Sequence, residues 1–188
     1  MMSSVLLSIS GHDRPGIVCD VAEALLHLNA NIEDSSMTAL RGRFTMMLIV
    51  RLPENRSISE LKAALAELEQ RTRLTVQSQT ISDEEASAPA LEPDHVITVH
   101  GADKAGIVHA VTEALSTLGI SVVDVSTQSR ATESNPTESN AIKQGNVYMM
   151  VLEVAAAGQG DAMQIALDAV AKQIGVDVDL HVLDDAVL

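Results

Sequence analysis

Two stretches of the chain carry residue types at spacings that suit a small charged ligand. The first is Gly11-His12-Asp13-Arg14-Pro15-Gly16-Ile17-Val18, and ninety residues later comes Gly101-Ala102-Asp103-Lys104-Ala105-Gly106-Ile107-Val108. The first follows the alternating run Val5, Leu7, Ile9, and both precede apolar residues at helical spacing: Val21, Leu25, Leu28 and Val111, Leu115, Leu118. A strand, a glycine turn and a helix are expected each time, with Pro15 at a first helical position. A helix N-terminus offers unpaired N–H groups and about half a positive charge, which suits a carboxylate. Gly16 and Gly106 lack a Cβ and let a ligand approach the backbone. Asp13 and Asp103 can cap the helix or meet an ammonium group. Asn31, expected near the turn at the end of a short helix, adds a donor and an acceptor; Ser121 takes its place in the second copy. The set fits a free amino acid. A structural role fits as well, with Gly16 needed for packing and Asp13 for capping.

Other chemistries find no such pattern. The six histidines include no metal-binding pair, and one cysteine, Cys19, allows no internal disulfide and reads as a small packed or half-buried side chain. The acidic residues Asp177, Asp179, Asp184 and Asp185 lack calcium-loop spacing and fit the wet face of a last strand. No nucleophile–base pair or phosphate loop stands out, so no catalytic residue, metal or cofactor is expected. A net charge of −14 argues against direct nucleic-acid binding. Neither a signal sequence nor a membrane span is evident, and a cytoplasmic protein is the expectation.

The elements that position the turns repeat in one order: strand, helix, strand, strand, helix, strand. Residues 32–40 and 44–52 read as a hairpin about Arg41-Gly42-Arg43. Ser57 and Glu60 form a capping box before Ile58, Leu61, Leu65 and Leu68, and Leu74 and Val76 open a last strand. Two domains follow, at 1–81 and 95–188, joined by an acidic linker at 82–94 that reads as containing no element. Matching Phe44 to Val147 gives an offset of 103, so the second copy carries thirteen extra residues within the polar stretch 131–145. That stretch reads as a hairpin loop without chemistry.

The expected fold class is α+β: tandem βαββαβ, ferredoxin-like units, each a four-stranded antiparallel sheet with two helices on one face. The first and third strands should be central. The third strand looks apolar on both faces, which suggests a covered sheet and a homodimer, with Met46, Leu48, Met149 and Val151 exposed in a lone monomer.

The paired Gly-x-Asp-x-x-Gly-Ile-Val turns, the helices behind them, and Asn31-Ile32 opening the second strand resemble the ACT domain. Two such domains together resemble the glycine cleavage system transcriptional repressor family. The first copy also resembles the regulatory segment of formyltetrahydrofolate deformylases, without their catalytic domain. The resemblance implies an amino-acid sensor, glycine being the family-based ligand, that regulates through a protein partner. It implies sites where two domains pair their second-strand edges, as the two copies of one chain could. The ligand residues would then be Gly11, His12, Asp13, Gly16, Ile17, Asn31 and Ile32, with Gly101, Asp103, Gly106, Ile107, Ser121 and Val122 in the second copy. A stand-alone regulatory subunit of a metabolic enzyme, or an enzyme with an unrecognised site, is the alternative.

Arg41 and Arg43 give at most a small, salt-dependent attraction to DNA. A gel-shift assay at physiological salt should therefore show no specific complex with this chain alone. A specific complex would refute action through a protein partner.

Overall fold

Alternating apolar and polar side chains make strand β1 (Ser3–His12) one-sided, and Val5, Leu7 and Ile9 are fully buried. In the computed structural model, which describes residues 3–131 and 146–183, β1 is followed by helix α1 (Ile17–Leu26) and strands β2 (Asn31–Leu40) and β3 (Arg43–Leu52). Helix α2 (Ile58–Thr72) and strand β4 (Thr75–Ile81) complete the first unit. The second unit repeats this as β5 (His95–Ala102), α4 (Ile107–Thr117), β6 (Ser121–Ala131), β7 (Asn146–Ala155), α5 (Gly160–Ile174) and β8 (Val176–Val182). The sheet orders are β2-β3-β1-β4 and β6-β7-β5-β8, and all the pairings are antiparallel. The first and third strands of each unit are central, as the crossover rule requires.

Residues 1–89 and 90–188 form two compact units, each with its own core. In the first, Ile17, Val21 and Leu25 of α1 and Leu61, Leu65 and Leu68 of α2 pack on the buried side of β1 and β3. The capping box of α2 is made: Ser57 Oγ accepts from the Glu60 N–H at 3.2 Å, and Glu60 accepts from the Ser57 N–H at 2.8 Å. Asn29 stops α1 in a left-handed conformation, φ 51°. Arg41 and Gly42, both at positive φ, close the β2–β3 hairpin as the two-residue turn that right-twisted strands favour.

The register corrects several expectations. Phe44 pairs with Gly11 and Tyr148 with Gly101, so the offset in the third strands is 104, against 90 in the first. The second copy is thus fourteen residues longer, not thirteen; of the stretch 131–145, all but Ala131 lies outside the described residues, as do Asp184 and Asp185. Met46 and Leu48 face the helices and are buried, while Met47 and Met149 are about half exposed on the open face. The β3 strand therefore alternates at its ends, where Arg43, Thr45 and Arg51 share that open face. Cys19 is exposed on α1, not packed. Pro15 lies before the helix, because Gly16 and not Pro15 adjoins its first turn. Within the acidic stretch, Ser82 and Glu85 form a second capping box around one helical turn, α3 (Asp83–Ala86), where no element was expected.

Asp94 clasps the second unit. Its carboxylate accepts from the N–H groups of Ala156 (2.7 Å) and Ala157 (3.0 Å) and sits 2.8 Å from His95 Nδ1. The Ala156 N–H, then the His95 ring, hold its carboxyl below the ordinary carboxylate range. A depressed pKa means stability that is present above the unfolded value and is lost as pH falls through the folded one. Acid titration should unfold the second unit more steeply, between about pH 5 and pH 2, than in an Asp94→Asn variant. Equal acid sensitivity would show that the clasp contributes nothing.

Candidate functional site

Strand β1 does not end at Gly11; it runs through His12, and the chain then needs four residues to reverse into α1. The reversal is made at Gly16, whose φ is +89°; Gly106 does the same at +96°. A Cβ on Gly16 would meet only Arg14 Nη1, at 3.7 Å, and one on Gly106 would meet nothing within 4 Å. Packing therefore does not require these glycines; the left-handed backbone does. The close-packed pair is instead Gly11 and Gly101. A Cβ there would lie 2.5 Å from Leu74 Cδ2 and 3.3 Å from Val176 Cα, so these two serve the sheet.

Neither helix has a side-chain cap. Asp13 and Asp103 are thus not caps: their backbone N–H groups donate to Gly42 O (2.9 Å), in the hairpin just before the third strand, and to Asn146 O (3.0 Å), at the start of the third strand. The first intrahelical bonds are Asp20 N–H to Gly16 O and Ala110 N–H to Gly106 O. The three N–H groups before each of these have no carbonyl four residues back inside the helix. Ile17 and Ile107 belong to the core, and only their backbone could meet a ligand.

Around the first turn, Arg14 pairs with Asp20, which Arg71 also approaches at 3.8 Å, and exposed His12 lies 3.2 Å from Arg43. Around the second, Lys104 Nζ donates to Ile174 O at 3.4 Å, at the C-terminal end of α5. Here a cleft of about 390 Å³ opens between Lys104, Gly106, Ile107, Val108, His109 and Tyr148. Asp103 Oδ2 accepts from Ser129 Oγ at 2.6 Å. Tyr148 is 9% exposed, and its hydroxyl is closed off from solvent beside the Thr127 hydroxyl. Burial and then the Asp103 charge raise its pKa, offset in part by the nearby Thr127 hydroxyl.

The structure brings Gly11, His12, Asp13, Gly16 and Ile17 together, and likewise Gly101, Asp103, Gly106 and Ile107. It does not bring Asn31 to the turn. Asn31 pairs with Arg51 and Gly11 with Phe44, opposite ends of β3 and roughly 23 Å apart at strand rise. Helix α1 runs back along the sheet and delivers the chain to the far end. Ile32, Ser121 and Val122 are displaced from their turns in the same way. Thr127, Ser129 and Tyr148 were missed. Their signal was the true offset of 104, which sets Tyr148 against Phe44.

Fold and site define a tandem of ferredoxin-like α+β units, each opening an uncapped helix N-terminus beside an acidic residue. The ACT domain pattern matches residues 3–79 and 94–134, and the chain belongs to the ACT domain family. ACT domains serve amino-acid-sensing regulation, and membership implies a role of that class. A UPF0237 protein of Methanopyrus kandleri is 42% identical over 65 residues, 34% of this chain and 72% of the relative. A crystal structure of an unknown protein from Galdieria sulphuraria superposes with a TM-score of 0.75 at 26% identity, covering 98% of this chain and all of the other. A presumed glycine cleavage system transcriptional repressor matches at TM-score 0.70 and 19% identity, over 98% of this chain and 99% of its own, a likeness of fold. No helix among the described residues is long and apolar enough to cross a membrane.

Replacing Gly106 with Ala forces a side chain into the left-handed region and should lower stability by about 1–2 kcal/mol. Since nothing crowds the position, the variant should still fold. A melting temperature equal to that of the native chain would show that the turn relaxes to negative φ.

Proposed function

We propose that the chain is an amino-acid-sensing regulatory protein that acts through a protein partner, with regulation of the glycine cleavage system as the transcriptional target. The observation that carries this reading is the pair of uncapped helix N-termini, each reached through a left-handed glycine and flanked by Asp13 or Asp103. N–H groups at one side and a carboxylate at the other match the two charges of a free amino acid. Support for the target comes from the fold shared with the presumed glycine cleavage repressor. Its glycine cleavage assignment is that protein's own.

The open faces carry half-exposed Met47, Val147 and Met149, and a hollow of about 200 Å³ lies beside Met47, Leu6 and Ile49. Such surface supports self-association as a homodimer. Strand β2 is exposed along its whole length, and among the described residues no strand pairs with its outer edge. If two protomers joined these edges antiparallel, Asn31 of one would come to the turn of the other, which its own fold forbids. A regulatory role in the cytoplasm, not catalysis, follows from this reading.

A thermal-shift screen against the free amino acids tests it. Ligand at about 100 times its dissociation constant stabilises by about 2.7 kcal/mol, a shift of several degrees. No shift with any amino acid would leave a pure interaction module as the better reading.

A further inference from the structure

The open faces of the two sheets present equivalent positions with different chemistry. On the first strand Leu6, Ser8 and Ser10 face away from the helices, and the second unit sets Val96, Thr98 and His100 there. Beside them Thr45, Met47 and Ile49 of β3 correspond to Met149, Val151 and Glu153 of β7. On the last strand Thr75, Gln77 and Gln79 correspond to Asp177, Asp179 and His181. Across these central positions the first unit has no charged group. The second has three carboxylates and two histidines, with His100 Nε2 3.6 Å from Asp177 and Nδ1 3.8 Å from Asp179.

An uncharged face on a chain of net charge −14 has the pattern of a protein contact, since charge is depleted at the centre of interfaces and kept at their rims. The first unit's charges stand at such a rim. Arg43 lies beside His12 at one end of the sheet. Arg51, held by Glu33 at 2.7 Å, stands at the other, where Asp83 accepts from buried Ser4 at 3.3 Å. Asp34 lies on the outer strand β2. Three shallow hollows of about 200, 160 and 170 Å³ indent the face about Met47, Leu6, Ser8 and Gln77, with room for the side chains of an opposing sheet. Three of the strands are 10 residues long, so at a spacing of about 4.8 Å and a rise of about 3.4 Å the sheet offers roughly 600 Å² a side. A stacked pair would bury about 1,200 Å², the lower end of what a stable dimer needs.

We propose that the open face of the first unit is the dimer contact, stacked on the same face of a second copy, while the second unit's face stays in water. This rests on the self-association reading and assigns it to one sheet of the two. A two-fold pairing of first faces sets Leu6, Met47 and Ile49 against hydroxyls, amides and one another, and its centre buries no charge. Pairing of second faces would set Asp177, Asp179 and Glu153 of one copy against the same carboxylates of the other. A first face on a second face would strip water from those carboxylates with only hydroxyls and amides to receive them.

Sedimentation of the full chain over a micromolar concentration series tests this. The native chain should form dimers. Thr75→Asp with Gln77→Asp, which writes the second unit's carboxylates onto the first face, should weaken them by at least about tenfold. Both positions are exposed, so the variant should keep the native circular dichroism. The reverse pair, Asp177→Thr with Asp179→Gln, should leave the dimer no weaker. Oxidation by dilute peroxide reads the face in the unaltered chain. Met47 should be protected in the dimer and react on dilution to monomer, whereas Met149 should react in both. A dimer that survives the added carboxylates with Met47 still reactive would overturn this assignment and keep self-association, with the contact on the second face if Met149 is protected and at the β2 edge if it is not. A monomer at every concentration would overturn both, while amino-acid sensing is read separately by the thermal shift.

Discussion

The left-handed glycine between the first strand and the first helix is the constraint on which each unit depends. It lets the chain leave the sheet and start a helix within four residues, while the aspartate N–H before it is tied to the start of the third strand or the hairpin leading into it. The residue in the cap position is that same glycine, which has no side chain with which to cap the helix. The exposed N–H groups therefore follow from the backbone path itself. The local fold supplies an anion-accepting end, and the neighbouring side chains decide what, if anything, it accepts.

Those neighbours have diverged between the two units. The helices, the sheet order and the crowded contacts of Gly11 and Gly101 are common to both, since each is needed to close the core. Phe44 and Tyr148 fill the same place under the same helix end, and both are buried. They differ by one oxygen. A core position can thus change its chemistry at the cleft while its volume and its packing are conserved.

Much of the architecture was legible in residue patterns because burial imposes period. The strand alternation, the helical stripes and the Ser57–Glu60 box all read through to the structure. What was illegible depended on register and direction. A one-residue slip in aligning the third strands sets buried Met46 and Leu48 against Met149 and Val151 of the open face, as a period of two dictates. Asn31 was misplaced for a different reason. Nearness along the chain is not nearness in space here, because a helix between two strands carries the chain from one end of the sheet to the other. The short helix at Ser82 was hidden by composition, since four residues are too few to show a period.

The strand order also bears on how the chain comes into being. In each sheet the first strand lies beside the last, so Ser4 must wait for Ile81 and His95 for Val182. Neither sheet can close until nearly all of its own unit has been synthesised. The first unit, however, owes nothing to the second for its core. At translation rates of about 5–20 residues per second, the first unit can finish folding while the second is still emerging. The ribosome thus separates in time two near-copies whose strands could otherwise pair with each other.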